Sequence, residues 1–181
     1  MTTYALLLRG INVGGNKKIA MSDLRDLLTD IGHGEARTLL QSGNAVFTTR
    51  SRRSADKLAA EIEAAISEKL GMTVRCLLRT VAELRAVVER NPLVDTSTNH
   101  SRLMVTFLSE PPDPARFADV KPADVAPDEF ALGTCEVYSW MPDGQLNTKL
   151  DDKFWKGRLT GVTTARNWNT VTKLLAMAES L

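Results

Sequence analysis

The order of elements that the first 78 residues predict is the feature that most constrains the fold. An unbroken apolar run over 4–8 predicts a strand whose two faces are both buried, and a helix capped by Ser22 follows it. Two extended segments that meet at a turn over 42–43 predict a hairpin. A helix that Ser54 caps and a strand over 73–78 complete the order β-α-β-β-α-β, which is typical of the ferredoxin-like fold.

The remaining residues predict the same order again. An extra helix begins at a capping box over 80–83 and ends before Pro92. Residues 80–89 match residues 170–179 at five of ten positions, ninety residues apart, which indicates an internal duplication. The second half predicts strands over 103–108, 129–132, 136–140 and 162–165, and helices over 114–120, 151–158 and 170–181.

We therefore predict an α+β fold of two ferredoxin-like (βαββαβ) halves, each with an extra helix, over 1–91 and 92–181, packed as one duplicated unit. The apolar strands over 4–8 and 103–108 favour such packing, because a ferredoxin-like sheet alone covers only one of its faces with helices. With 43% hydrophobic and 25% charged residues, the composition excludes a disordered or fibrous chain.

The cysteines and the charge distribution limit the cellular locations and the partners that the chain can have. Cys76 and Cys135 form no CxxC motif, which is typical of reduced thiols in an intracellular protein, and the apolar run before Arg9 is too short for a signal peptide or a membrane span. We expect a cytoplasmic location and no membrane partner. Residues 1–90 carry 14 Lys/Arg against 10 Asp/Glu, and residues 91–181 carry 9 against 12, an asymmetry that neither requires nor excludes nucleic acid.

Polar residues concentrate directly after the first strand. Three glycines and three cations lie within 9–18, and Arg9 and Asn12 head this segment. Backbone amides that glycine leaves accessible, together with positive charge, suit an anion. The segment is not a P-loop, because Asn16 follows Gly15 where that motif has its lysine. The alternative is a wide turn whose glycines only supply positive φ angles.

Three further segments carry candidate ligand-binding side chains. Ser42 and Asn44 lie at the hairpin tip, where turn geometry alone also selects such residues. Lys149 precedes a predicted helix. Arg, Asn and Trp side chains lie at the start of the last predicted helix, where free backbone amides and a guanidinium would favour an anion. The alternative is that Trp168 anchors this helix in the core. The candidates in this last segment are Arg166, Asn167 and Asn169.

No pattern identifies catalytic residues, a metal site or a cofactor. Cys76 lies on an apolar strand face, and His33 and His100 lack the partners of a ligand motif. An RNA-binding sheet would carry two or three stacking aromatics, whereas the first strand has Tyr4 alone and the hairpin has Phe47 alone. Catalytic residues are thus unknown, and no metal or cofactor is expected.

Three segments together resemble the signatures of a bacterial family, domain of unknown function 1697. They are Leu-Leu-Arg-Gly-Ile-Asn-Val-Gly-Gly over 7–15, Leu-Gln-Ser-Gly-Asn-Ala-Val-Phe over 40–47 and Thr-Ala-Arg-Asn-Trp-Asn-Thr-Val over 164–171, and Lys149-Leu150 followed by Phe154 also fits. The resemblance implies an α+β protein of two related ferredoxin-like halves. It implies no activity.

The resulting hypothesis is a polar, mildly cationic cleft between the halves that holds a small phosphate- or carboxylate-bearing ligand. A nucleic-acid or protein interaction module is the first alternative, with the protein partner unknown, and an enzyme of unknown reaction is the second. The predicted ligand-binding residues are Arg9, Asn12, Ser42, Asn44, Lys149, Arg166, Asn167 and Asn169.

Overall fold

The structure is a computed structural model that describes residues 1–12 and 17–181. The chain divides into two compact units. The first unit comprises Met1–Ala86 and Lys173–Leu181, and the second comprises Val87–Thr172. Two helices, Val81–Glu89 and Trp168–Glu179, are therefore divided between the units, and each is described below with the unit in which it begins. The domain bounds that the sequence predicts stay a prediction.

The first unit contains the predicted ferredoxin-like order. Its antiparallel sheet has the strand order β2-β3-β1-β4. The extra helix, α3, begins where β4 ends. The elements are β1 (Thr2–Leu8), α1 (Met21–Asp30), β2 (Ala36–Leu39), β3 (Asn44–Thr49), α2 (Ala55–Leu70), β4 (Cys76–Thr80) and α3 (Val81–Glu89).

Both faces of β1 are buried, as the apolar run predicts. Leu6 and Leu8 belong to a core that includes Leu24 of α1 and Ile62 of α2, so these two helices pack on one face of the sheet. Leu7, which points to the opposite face, is also fully buried. Burial of both faces explains why β1 has no alternating pattern of apolar and polar residues.

The second unit has the same strand arrangement. Its antiparallel sheet has the order β6-β7-β5-β8, so the central and edge positions match those of the first sheet. The prediction of an α+β fold with two similar halves is confirmed. The elements are β5 (Leu103–Leu108), a 3-10 helix (Pro114–Phe117), α4 (Pro122–Val125), β6 (Glu129–Leu132), β7 (Glu136–Trp140), α5 (Asp152–Trp155), β8 (Thr163–Asn167) and α6 (Trp168–Glu179).

The residue equivalence between the halves differs from the one that the sequence match indicates. Thr80 Oγ1 accepts from Glu83 N (3.2 Å) at the start of α3, and Asn167 Oδ1 accepts from Thr170 N (2.9 Å) at the start of α6. These matching N-caps lie 87 residues apart, so the ninety-residue register is wrong by three. Three residues are nearly one helical turn, which keeps apolar positions aligned and explains the misleading match.

Several predicted elements have different bounds. The strand predicted over 73–78 is β4 at Cys76–Thr80, and the helix predicted over 114–120 is a 3-10 helix at Pro114–Phe117. The helix predicted over 151–158 is only α5, which Asp151 caps and which cannot continue through Gly157 at a φ of +79°. The last helix begins two residues earlier than predicted, directly after β8. Within residues 1–12 and 17–181, no helix has the length and apolarity needed to cross a membrane.

Candidate functional site

The segment after β1 is held by the side chain of Asn12. This residue has a φ of +54°, a conformation that asparagine tolerates better than most residues. Its Oδ1 accepts from Ile19 N (3.1 Å), and its Nδ2 donates to Ile19 O (3.1 Å) and to the carbonyl of Gln41. One carboxamide therefore ties the segment after β1 to the residues before α1 and to the hairpin tip.

The hairpin between β2 and β3 packs directly on this segment. Leu8 N donates to Gly43 O (2.8 Å). Gly43 has a φ of +77°, and a Cβ there would lie 2.8 Å from Leu8 Cβ and 2.7 Å from Ile11 Cδ1. Only glycine fits this position. The first two polar segments that the sequence singles out are therefore in contact.

A pocket opens where these segments meet. It encloses about 360 Å³, and the described residues that line it are Asn12, Lys18, Ile19, Ala20 and Gln41. The side chains of Lys18 and Gln41 are exposed, whereas Ile19 is buried beneath the pocket surface. The pocket thus combines a positive charge, a carboxamide and an apolar wall.

The beginning of α1 borders the same pocket. The prediction that Ser22 caps this helix is wrong: the N-cap is Ala20, which has no side-chain oxygen to accept from a first-turn amide. The Ser22 hydroxyl instead lies 3.4 Å from Asp23 Oδ1. The first amides of α1 therefore have no side-chain cap, although the Asp23 carboxylate offsets part of the positive helix dipole.

Two exposed cations of the first segment differ in what they contact. Lys17 Nζ donates to Thr73 O (2.8 Å) and so ties the segment to the residues before β4. Lys18 makes no hydrogen bond or ion pair with the described part of the chain. The Arg9 guanidinium also makes no hydrogen bond or ion pair with the described residues. The backbone N of Arg9 donates to Arg75 O (2.8 Å). The glycine-rich centre of this segment, 13–16, lies outside the described residues.

Backbone strain is concentrated around the pocket. In the described ranges, the non-glycine residues with a positive φ are Asn12, Lys17 and Leu40. Asn12 lines the pocket, and the other two are each next to a lining residue, Lys18 or Gln41. Such conformations cost about 1–3 kcal/mol each and cluster at ligand-binding sites.

Ser42 and Asn44 secure the hairpin turn. Asn44 is fully buried, and its Nδ2 donates to Leu39 O (3.1 Å) and to Ser42 Oγ (2.8 Å). In the second half, Glu136 occupies the equivalent first position of β7, where its carboxylate accepts from Thr134 N (3.2 Å) and Cys135 N (3.0 Å). In both hairpins, a buried polar side chain thus forms hydrogen bonds with residues of the turn.

Arg166 is on β8 rather than at the start of the last helix, where the sequence predicts it. It lies opposite Val105 of β5, and its side chain is buried. Nη1 donates to Thr164 Oγ1 (2.7 Å) and to Ala165 O (2.8 Å). Burial lowers the pKa of the guanidinium to about 10.

The other candidates of the second unit have separate surroundings. Asn167 caps α6, Asn169 is exposed in its first turn, and the buried Trp168 between them fits the core-anchor alternative. Lys149 Nζ donates to Ala126 O (2.6 Å). Its backbone N donates to Asp128 Oδ2 (2.7 Å), a buried carboxylate.

The structure thus places the eight predicted residues in two groups. Those of the first unit lie along the two segments that form the pocket: Arg9, Asn12, Ser42 and Asn44. Those of the second unit are Lys149, Arg166, Asn167 and Asn169. A single site that includes both groups stays a prediction.

Sequence reasoning missed four of the five lining residues: Lys18, Ile19, Ala20 and Gln41. Lys18 and Gln41 belong to the polar segments, so a signal for them was present. Ile19 and Ala20 gave no signal, because an apolar pair before a helix is typical of any helix start.

Side chains for metal or nucleophilic chemistry are not grouped in the described residues. No cluster of three His, Cys, Asp or Glu residues occurs in those ranges. Cys76 is buried, its Sγ donates to Ala59 O (3.6 Å), and burial raises the pKa of the thiol. A raised pKa disfavours the thiolate, so Cys76 is a structural thiol.

Fold and pocket define an α+β protein with two similar halves and a small pocket in the first half that has polar and apolar lining residues. The model of the family described as "Protein of unknown function (DUF1697)" matches residues 1–138, and the chain belongs to this family. It is similar to a solved structure, the conserved bacterial protein SP0830 from Streptococcus pneumoniae, at 26% identity with a TM-score of 0.77, over 98% of both chains. No curated protein matches the chain.

Proposed function

We propose that this protein binds a small anionic ligand, bearing a phosphate or a carboxylate, in the pocket of its first unit. The observation that carries the proposal is the pocket itself, which lies where two polar segments meet and exposes Lys18, for which the described residues supply no hydrogen bond or ion pair. An ammonium group that is not neutralised within the protein attracts an anion from solution.

The start of α1 supports the same polarity. Ala20 lines the pocket and leaves the first amides of the helix without a side-chain cap. Uncapped amides donate readily to phosphate or carboxylate oxygens. Lys18 and these amides would therefore act on the same anionic group.

The surroundings of the pocket are fixed before a ligand arrives. Asn12 joins three chain segments through its carboxamide, and Lys17 is held by Thr73 O. A preformed site loses less conformational entropy on binding than one that must become ordered. Strain at Asn12, Lys17 and Leu40 is maintained by these contacts.

Four of the eight residues predicted from the sequence take part in this proposal. Arg9 is an exposed cation on the same segment and adds long-range attraction. Asn12, Ser42 and Asn44 position the backbone around the pocket through their hydrogen bonds. Lys149, Arg166, Asn167 and Asn169 belong to the second unit and are not part of this proposal.

The proposed setting is the cytoplasm. Cys76 and Cys135 are both thiols, as is typical of proteins in a reducing compartment. Nucleic acid is the alternative partner. Its phosphate backbone would contact many scattered cations, so its binding would depend steeply on salt concentration and only weakly on any one lysine. The experiment below therefore distinguishes the two partners.

The proposal is tested by thermal unfolding with a panel of organic phosphates, carboxylates and a single-stranded oligonucleotide. At a ligand concentration of 100 times Kd, binding stabilises the fold by about 2.7 kcal/mol, which raises Tm by roughly 5–10 °C for a chain of this size. Lys18→Met is expected to abolish this rise. Lys57→Met, which removes another exposed lysine of the first unit, is expected to retain it.

Two results would contradict the proposal. The first is the absence of stabilisation by every anion on the panel. The second is an equal rise in Tm for the wild type, Lys18→Met and Lys57→Met, which would place any bound anion elsewhere.

A further inference from the structure

The pocket has two chemically different walls. Lys18 and Gln41 present exposed polar side chains, whereas Ala20 presents an exposed aliphatic group; Ile19 also lines the pocket but is almost fully buried. A volume of about 360 Å³ greatly exceeds that of an inorganic phosphate and falls in the range of about 300–1,000 Å³ that is common for organic ligands. An inorganic anion would contact the polar wall and leave the apolar wall in water.

The hydrogen bonds of Asn12 leave fewer polar groups of the pocket available to a ligand. Both N–H groups of its carboxamide are donated to backbone carbonyls, and its Oδ1 accepts from Ile19 N. Of the described lining residues, Lys18 and Gln41 are those whose polar side-chain groups make no hydrogen bond with residues 1–12 and 17–181. The polar wall therefore offers one ammonium and one carboxamide, which suits a single anionic group.

We infer that the ligand is an organic anion: one phosphate or carboxylate on an apolar body about the size of an aromatic ring. This inference rests on the proposed function and adds that the anionic group alone is not the ligand. The anionic group lies at Lys18, and the apolar body covers Ala20. Removal of the ring and of the exposed Ala20 methyl group from water supplies the additional affinity.

Isothermal titration calorimetry with four probes tests this inference on the full chain. Phenyl phosphate and phenylacetate carry both parts, inorganic phosphate carries only the anion, and phenol carries only the ring. We expect the tighter of the first two to bind at least tenfold more strongly than either single-part probe, a difference of about 1.4 kcal/mol. Which of the two binds more tightly identifies the anionic group.

A variant that fills the apolar wall provides the second arm. Ala20 is exposed and extended, with φ of −69° and ψ of 140°, a conformation that phenylalanine adopts without strain. Ala20→Phe is expected to weaken phenyl phosphate at least tenfold. Ala60→Phe, at an exposed position of α2, is the matched control and is expected to leave that affinity unchanged.

The outcomes separate the two proposals. Equal affinities for phenyl phosphate and inorganic phosphate in the wild type, both lost in Lys18→Met, would overturn this inference and leave the anion site in place. The wild-type titrations do not depend on whether Ala20→Phe folds. Absence of binding by all four probes, or binding that Lys18→Met does not change, would overturn this inference together with the proposed function.

Discussion

The contact between the first two polar segments predicts that Gly43→Ala destabilises the protein strongly. An alanine there would have a positive φ, which costs about 1–2 kcal/mol. Its Cβ would also lie 2.8 Å from Leu8 Cβ and 2.8 Å from Ile11 Cγ1, atoms close to the backbone of buried residues that cannot rotate away. Overpacking of this kind costs about 1–3 kcal/mol more.

Gly71→Ala is the matched control for this prediction. Gly71 ends α2 with a φ of +65°, and a Cβ there would meet no atom within 4 Å. The substitution therefore carries the cost of the positive φ without the steric clash. The change in entropy of the unfolded chain is the same for both glycine-to-alanine variants and cancels in the comparison.

Urea unfolding followed by far-UV circular dichroism measures both variants. We expect Gly43→Ala to lose roughly 1–3 kcal/mol more of the free energy of unfolding than Gly71→Ala, by the overpacking estimate. Equal losses for the two variants would refute the close packing of the hairpin tip on the segment after β1. The pocket would then lack the structural basis described above.

Two further predictions concern buried polar groups. Burial lowers the pKa of His33, whose Nε2 has no hydrogen-bond partner in the described residues. The unfolded chain then binds the proton more readily than the folded chain. The protein is therefore fully stable above the ordinary histidine pKa of 6.5, and its free energy of unfolding decreases as the pH falls toward the lowered pKa. Urea unfolding at pH 7.5 and 5.5 should show this decrease, and the decrease should be smaller in His33→Gln. Asp128→Ala removes the carboxylate that accepts from Thr148 Oγ1 and Lys149 N, both at 2.7 Å, and should lower the free energy of unfolding by about 2–4 kcal/mol in the same assay. The control Asp152→Ala, at an exposed position, should lower it by less than about 0.5 kcal/mol. Similar losses for the two variants would contradict the structural role of Asp128.

The fold was predictable because its strongest signals are local. The apolar run of β1 indicates burial on both faces, and Ser54 and Gly71 mark the two ends of α2 through their capping chemistry. The N-cap of α1 was not predictable in this way. Ser22 has the preferred chemistry, but the contacts between Asn12 and Ile19 fix the preceding chain, and the helix begins two residues earlier, with Ala20 as its N-cap.

Long-range contacts explain why only part of the candidate site was predictable. Residue type indicated Asn12 and Asn44 as polar and important, but only the fold shows that their carboxamides bond to carbonyls such as Ile19 O and Leu39 O. Arg166 was expected at the start of the last helix, because the predicted strand ends at Ala165 and polar residues follow it. It is instead buried on β8, since its neighbours Thr164 and Ala165 supply oxygens that accept from its guanidinium.

A titration followed by ¹H–¹⁵N NMR tests the central claim, an anion site at Lys18, most directly. With phenyl phosphate, we expect the largest chemical-shift changes at the amides of Lys18, Ile19, Ala20 and Gln41, which line the pocket. We also expect these changes to vanish in Lys18→Met and to persist in Lys57→Met. Shifts centred on exposed arginines such as Arg50 and Arg52, or no shifts at all, would contradict the claim.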